Sequence, residues 1–336
     1  MTLLNSKKTL IIAEACDNHF GSLELAKKFV LRAKESGADV IKFQHHLPDE
    51  EMLKIVPKSS NFKIPLYEFL KKNALKISDH EVLKKFCEKN NITYLCTPFS
   101  YKAAAELNEI NVKWFKVGSG EFCDLPFLKK ILEFKKPIIL SSGMSSVKDI
   151  RMVYNFVNKF RQNEVAIMNC TSEYPPIFKD INLNFIPVLH KICKEFIVGH
   201  SDHTNDIYTS LGAVCLGAKI IEKHVFINYK SSGPDKDVSI TFDQFLTLSK
   251  GIRILEQCLG KYKKIYPKEK QIEKWAKRSL VAIKNIKKGD MLTEKNLWSK
   301  RPGTGIPSRF FFKYINKIAK KNIKKDTLIK KSQILI

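Results

Sequence analysis

Between Thr9 and about Gly260, short β-branched and apolar runs alternate with longer stretches whose apolar positions recur at helical spacing. A brief apolar run bounded by turn-formers reads as a buried strand, whereas recurrence every three to four residues reads as one face of a helix. Strands are therefore predicted near Leu10 to Ala13, Val40 to Phe43, Thr93 to Cys96, Trp114 to Val117, Ile138 to Leu140, Val165 to Asn169, Ile197 to Gly199 and Ile220 to Lys223. Between the first two, Ser22 to Ser36 sets Leu23, Ala26, Phe29, Val30 and Ala33 on one helical face, with Ser22 placed to cap the first turn and Gly37 to stop the last. Eight strand–helix units in about 250 residues have the order and length of a (β/α)8 TIM barrel, an α/β fold. The competing doubly wound sheet would want G-x-G-x-x-G after its first strand, and the sequence has none.

Two stretches break this rhythm. His45 to Asp79 is too long for an ordinary strand-to-helix loop, and loops of that length are usually functional or disordered. Past Gly260, a lysine-rich linker (Lys261 to Lys274) leads to short apolar alternations at Leu280 to Ile283 and Lys320 to Ile323, separated by the turn signals Lys288-Gly289-Asp290 and Arg301-Pro302-Gly303. This reads as a separate β-rich module with little helix, of a size that is marginal alone and so is expected to dock on the barrel or on a second subunit. The organisation read from the chain is a barrel over 1–262, a linker over 263–277 and a small module over 278–336.

Composition narrows the class. The 336 residues are 44% hydrophobic and 28% charged, as in a soluble globular protein. No run of eighteen apolar residues and no apolar leader with a cleavage site occur, so neither a membrane span nor a secretory signal is read, and the expected location is cytoplasmic. The formal charge of +25 suggests nucleic acid until it is located: residues 261–336 hold 23 Lys or Arg against 5 Asp or Glu. That lysine-rich tail comes without an RNP, helix-turn-helix or zinc-finger pattern, so a solvated surface is the simpler reading and no nucleic-acid partner is expected. The eight cysteines form no C-x-x-C pair, which argues against a disulfide framework or zinc ribbon and leaves most of them as small buried hydrophobes.

In a barrel, residues at the C-terminal strand ends line the active-site mouth. Here they read Glu14, Asn18 and His19; Lys42 and Gln44; Thr97; Lys116, Ser119 and Glu121; Ser141 and Ser142; Thr171, Ser172 and Tyr174; Ser201, Asp202 and His203; Glu222 and His224. Helix caps and turns recruit Ser, Thr and Asp anyway. Lys42, Lys116, Glu14 and Glu222 need more, because a charge in a narrow mouth is costly unless paired or bound to ligand. His203 and His224 end consecutive strands, which suits either a two-histidine divalent-metal site, Mn²⁺ or a similar ion, or two hydrogen-bonded core histidines. Lys42 and Lys116 with Ser119, Ser141, Thr171 and Ser201 suit a phosphate. Glu14, Glu121 and Glu222 suit general acid–base work or, individually, salt bridges to neighbouring lysines. Taken together they suggest metal-assisted chemistry on a phosphorylated small molecule.

The segments IIAEACDNHFGS, IKFQHH, KVGSGEF, IILSSGM, NCTSEYPP, VGHSDHT and IIEKHV followed by GPDKDVS resemble, in order and in barrel position, the sialic acid synthase family. The stretch RSLVAIKNIKKGDMLTEKNLWSKRPGTGI resembles that family's C-terminal SAF (antifreeze-like, β-clip) domain. The resemblance implies condensation of phosphoenolpyruvate with an open-chain N-acetylated hexose, N-acetylmannosamine in the type enzyme, releasing phosphate and N-acetylneuraminate. It further implies that His203 and His224 bind Mn²⁺, that Lys42, Lys116, Ser119, Ser141, Ser172 and Ser201 contact phosphoenolpyruvate, and that Glu14, Glu121 and Glu222 are catalytic carboxylates. Gln44, Asn61, Tyr174 and Asp235 match groups around the sugar. Arg301 matches an arginine that the SAF domain sends into the partner subunit's barrel, which implies a domain-swapped homodimer; otherwise it is a surface turn residue.

Gln44-x-His46, Glu51-Met52 and the Asn61 to Tyr67 stretch resemble bacterial neuraminate synthases, ahead of relatives making legionaminate or pseudaminate from di-N-acetylated deoxyhexoses. A 3-deoxy-octulosonate or heptulosonate phosphate synthase is a more remote alternative, against which the SAF-like tail argues. A non-catalytic carbohydrate-binding or nucleic-acid-associated protein is the alternative of a different class. Two departures stand out: Cys16 occupies a position where the family usually has glycine and crowds the loop beside Glu14, and Ser172 replaces an asparagine found in some bacterial members.

Overall fold

The computed structural model describes residues 8–57, 62, 64–227 and 233–335. The chain divides into two compact units, Met1–Gly260 and Lys261–Ile336. In the first, eight parallel strands run in sequence order and close between β1 and β8: β1 (Leu10–Glu14), β2 (Val40–His45), β3 (Thr93–Pro98), β4 (Phe115–Val117), β5 (Ile138–Ser141), β6 (Val165–Cys170), β7 (Ile197–Asp202) and β8 (Ile220–Phe226). The expected (β/α)8 barrel is thus the observed one. Most strands run one to three residues past their predicted C-terminal ends, because polar residues that look like loop on a hydropathy pattern still pair with their neighbours at the barrel mouth. A two-residue strand, β9 (Ile240–Thr241), adds to the outside of β8.

Side chains alternate along each strand, and the barrel uses both faces. Ile12, Val40, Leu95, Trp114, Ile139, Ala166, Met168 and Ile220 fill the inside as one cluster, while a larger apolar layer joins the strands to the surrounding helices. The first helix, α1 (Leu23–Glu35), buries Ala26, Phe29, Val30 and Ala33, and Ser22 Oγ accepts the Leu25 N–H at its start. Gly37 follows with a φ of +83°, in the left-handed region, where its missing Cβ also leaves room for Ser249.

The second unit has its own core around Leu280, Leu292, Leu297, Ile306, Ile323 and Ile329. Among the described residues its one ladder is antiparallel, β10 (Ser279–Ala282) with β11 (Leu297–Lys300). The strand expected at Lys320 to Ile323 does not form; Ile323 makes a single bridge to Ile286 and the preceding Ala319 one to Ile334, because the consecutive lysines between them interrupt the apolar alternation. The lysine-rich linker contains a helix over Pro267–Ala276, started by Pro267 and Glu269 and exposed along most of its length. Among the described residues no helix is long and apolar enough to cross a membrane.

Candidate active site

Strand alternation decides what faces the barrel mouth. On β8, Glu222 and His224 point inward with Lys223 between them, and at the end of β7 Ser201 and His203 do the same with Asp202 between them. The lysine and aspartate left outside pair directly, Asp202 opposite Lys223 in the ladder with their charged atoms 3.1 Å apart. Asp202 also accepts from Thr204, Thr209 and Ser210, so this buried ion pair is hydrogen-bonded throughout and ties the ends of β7 and β8 together. Burial favours a neutral Asp202 carboxyl, but Lys223 outweighs it and holds the carboxylate well below its ordinary range.

The inward residues line a cavity of about 740 Å³. At its floor two ammonium groups meet two carboxylates. Lys42 Nζ lies 2.9 Å from Glu14 and 3.3 Å from Glu222, and it donates to Thr97 Oγ1 at 3.2 Å. Lys116 Nζ donates to Ser141 Oγ at 2.6 Å and stands 3.7 Å from Glu222, whose Oε1 also accepts from Ser201. Glu222 Oε2 is buried without a hydrogen-bond partner among the described residues. Burial pushes the Glu14 carboxyl up to about 7, against the opposing pull of Lys42. Burial acts on Glu222 too, but Lys116 and Lys42 prevail and keep it ionised. The floor therefore holds one carboxyl that exchanges its proton near neutrality beside one that does not.

Hydroxyls form the adjoining wall. Ser119, Ser141, Ser172 and Ser201 all line the cavity, and Ser172 Oγ is buried with no partner among the described residues. Gly143 keeps this wall open: a Cβ there would overlap Ser172 Oγ and stand 2.6 Å from Ser119 Oγ. Ser141 accepts from Lys116, Ser201 donates to Glu222 and Ser119 donates to Cys170 Sγ, so Ser172 is the one of the four without a partner among the described residues. Hydroxyls gathered beside two ammonium groups are a phosphate-binding arrangement.

Across the cavity the rings of His203 and His224 lie edge to face, with centroids 5.2 Å apart, and Tyr174 stacks on His203 at 4.5 Å. His203 Nδ1 is 2.8 Å from the Thr171 carbonyl, which makes Nδ1 the donor and leaves Nε2 with its lone pair. Burial brings His203 down to about 4 and lowers His224 as well, so both imidazoles are neutral at pH 7. His224 Nδ1 is buried and unpartnered among the described residues. Neutral imidazoles with free lone pairs fit a divalent ion. Among the described residues, the ligand-type side chains that converge as a group of three are Cys16, His224 and Asp235, mutually within 4.8 Å, and this group does not include His203.

Of the residues named from the sequence, Lys42, Gln44, Lys116, Ser119, Glu121, Ser141, Ser172, Tyr174, Ser201, His203, Glu222, His224 and Asp235 share this cavity. Glu14 does not line it; it sits fully buried beneath, paired with Lys42 and Gln44. Asn61 lies outside the described residues. Arg301 belongs to the second unit, where its guanidinium covers the Trp275 ring at 5.5 Å and its Nε donates to the Ala276 carbonyl.

Several further residues line the cavity to which the sequence reading gave no individual role. His46 stacks on Phe99 and joins Glu51 to Gln44, whose amide in turn reaches Glu14, so a continuous chain of hydrogen bonds runs from rim to floor. Burial opposes a charge on His46, but Asp17 and Glu51 raise its pKa overall. The pairing of Gln44-x-His46 on alternate positions was the available signal; the contact with Glu51 needed the loop's actual path. Met52, Phe62, Leu66 and Leu70 supply an apolar wall from the long segment after β2. Of the eight cysteines, Cys87, Cys96 and Cys193 are packed as expected and Cys123, Cys215 and Cys258 are exposed, while Cys16 and Cys170 line the cavity.

Residues 29–264 match the NeuB family and residues 277–335 the SAF domain. The chain is 38% identical to N,N'-diacetyllegionaminic acid synthase of Campylobacter jejuni over 96% of its own length and 99% of the relative's. It is 32% identical to pseudaminic acid synthase of the same species, covering 95% and 94% of the two chains. A crystal structure of N-acetylneuraminic acid (sialic acid) synthetase from Leptospira borgpetersenii superposes with a TM-score of 0.72 at 29% identity, over 81% of this chain and 95% of that one.

Proposed function

The chain belongs to the NeuB family of sugar-acid synthases, and from that membership we propose that it condenses phosphoenolpyruvate with an open-chain N-acetylated hexosamine, releasing phosphate and a nine-carbon 2-keto acid. The observation that carries this reading is a single cavity in which Lys42, Lys116 and a wall of serine hydroxyls face two neutral imidazoles. The first group suits the phosphate and carboxylate of phosphoenolpyruvate, with Ser119, Ser141, Ser172 and Ser201 as donors and the ammonium groups as counter-charge. His203 and His224 would hold a divalent cation such as Mn²⁺, which supplies Lewis-acid polarisation of the sugar aldehyde.

In the condensation, carbon 3 of phosphoenolpyruvate forms the new C–C bond to the aldehyde carbon, whose oxygen takes up a proton. Water adds at carbon 2, and the resulting tetrahedral centre expels phosphate with cleavage of its C–O bond. The giving and taking of these protons is assigned to Glu222, which has one oxygen unengaged, and to Glu14, whose carboxyl near neutrality lies beneath the cavity and connects to it through Lys42 and Gln44. Glu121 lines the same cavity, with its carboxyl pushed by burial up to about 7. Gln44, Tyr174 and Asp235 are assigned to the sugar, together with Asn61. Arg301 joins them in a homodimer where the SAF domain of one subunit reaches the barrel of a second copy.

The sugar is assigned as N-acetylmannosamine from the Gln44-x-His46 and Glu51-Met52 stretch. One observation favours a second reading, a di-N-acetylated deoxyhexose as in a legionaminate synthase: Met52, Phe62, Leu66 and Leu70 offer the substrate apolar surface, which suits a methyl and an extra acetyl better than hydroxyls. Phosphate release from phosphoenolpyruvate, measured with each sugar and followed by mass identification of the product, tests both. Release should require the sugar and fall to background after chelation. Failure with every N-acetylated hexose offered would overturn the proposal.

A further inference from the structure

Cys16 stands where β1 turns into its loop, with its backbone in the left-handed region at a φ of +48°. Most of the other non-glycine residues with positive φ among those described are Asn or Asp, which tolerate it; a cysteine does so only under strain. The strained conformation is firmly held. Asn18, two residues on, donates to the Val225 carbonyl at 3.0 Å and accepts the Gly233 N–H at 3.0 Å, which ties the loop to the end of β8 and to the segment carrying Asp235.

The consequence is a thiol delivered to the cavity. Cys16 Sγ donates to Asp235, both side chains are more than nine-tenths buried, and both lie with a ring nitrogen of His224 inside a 4.8 Å group. His224, itself 5% exposed, keeps Nδ1 without a hydrogen-bond partner among the described residues. Sulfur, nitrogen and carboxylate oxygen at this separation are donors that can hold a metal ion, and a thiolate among them would change which ion is preferred.

We propose that Cys16 is a metal ligand of this chain, its thiolate joining His224 and Asp235 to hold a thiophilic divalent cation such as Zn²⁺, Co²⁺ or Fe²⁺ in preference to Mn²⁺. On binding, the thiol proton leaves through Asp235 to solvent and the S–H bond is replaced by a metal–sulfur bond, with no change in oxidation state. The inference rests on the reading of this cavity as a metal centre and is independent of which sugar it accepts. Asp235 then faces the ion rather than the sugar alone, and the loop that crowds Glu14 gains a reason for its cysteine.

The test is spectroscopic and needs no turnover. Full-length protein stripped with chelator is titrated with Co²⁺, and the near-ultraviolet thiolate-to-cobalt charge-transfer band is recorded for wild type, Cys16→Gly and Cys170→Ala. Glycine suits the backbone at position 16, and circular dichroism verifies that the variant is folded. The band should appear in wild type and in Cys170→Ala and vanish in Cys16→Gly. Co²⁺ affinity should fall at least ~10-fold in Cys16→Gly, since loss of even an outer partner of a metal ligand costs that much. Tight Co²⁺ binding with no such band in wild type would overturn the proposal and leave the two-histidine site standing. Absence of Co²⁺ binding altogether would overturn both.

Discussion

Glu121 shows how one carboxyl links stability to pH. Burial pushes it from 4.5 up to about 7, with Oε2 unpartnered among the described residues, so the folded protein retains a proton that the unfolded chain gives up. The stability associated with that neutral carboxyl is complete below the unfolded value and is lost as pH rises through the folded one. Glu121→Gln, which cannot ionise, should therefore melt at the wild-type temperature near pH 4.5 and at least ~2 °C higher at pH 8. A thermal shift that is the same at both pH values would mean that this carboxyl does not titrate as described. At this scale the sequence was informative about residue type and poor about contact. Lys42, Lys116, Ser141 and Glu222 were legible because strand ends in a barrel converge by construction. The meeting of Cys16 with Asp235 was not, since it joins loops 219 residues apart in the chain through the closure of β1 on β8.

Strands β7 and β8 owe their alignment at the mouth to residues that never touch the cavity. Lys223 and Asp202 alternate with the inward-facing residues, are essentially fully buried, and satisfy each other and three hydroxyls. Removing one partner leaves a buried charge uncompensated, so Lys223→Met should lose about 3–5 kcal/mol of unfolding free energy by denaturant titration. Adding Asp202→Asn should cost much less than a second independent loss, because the two side chains form one unit. Element positions were predictable to within a few residues where apolar alternation is strong. The helix over Pro267–Ala276 was hidden because its residues are nearly all solvent-exposed, and a helix with no buried face leaves no periodic signal. The interrupted pairing at Ala319 and Ile323 shows the converse, apolar alternation too short to make a ladder.

For the molecule as a whole, two units divide the work unequally. Every described residue that lines the cavity belongs to the barrel, and the proposed function adds Arg301 from the second unit of a partner subunit. Arg301→Ala should then raise the KM for the sugar roughly 10-fold or more, the worth of a charge-assisted hydrogen bond, while that for phosphoenolpyruvate changes little. Equal and negligible changes in both would return Arg301 to its place over Trp275 as a surface residue. Charge is divided unequally as well, with most of the +25 carried beyond residue 260. At the cavity floor, by contrast, Lys42 and Lys116 are countered by Glu222 and, in its ionised form, by Glu14, so only a small net positive charge is left there to act at a distance. An anion diffusing toward the mouth is thus drawn by the distant field of the whole surface, which dissolved ions screen, and is retained by short-range donors, which they barely affect. Encounter and retention answer to different parts of the protein, and ionic strength acts chiefly on the first.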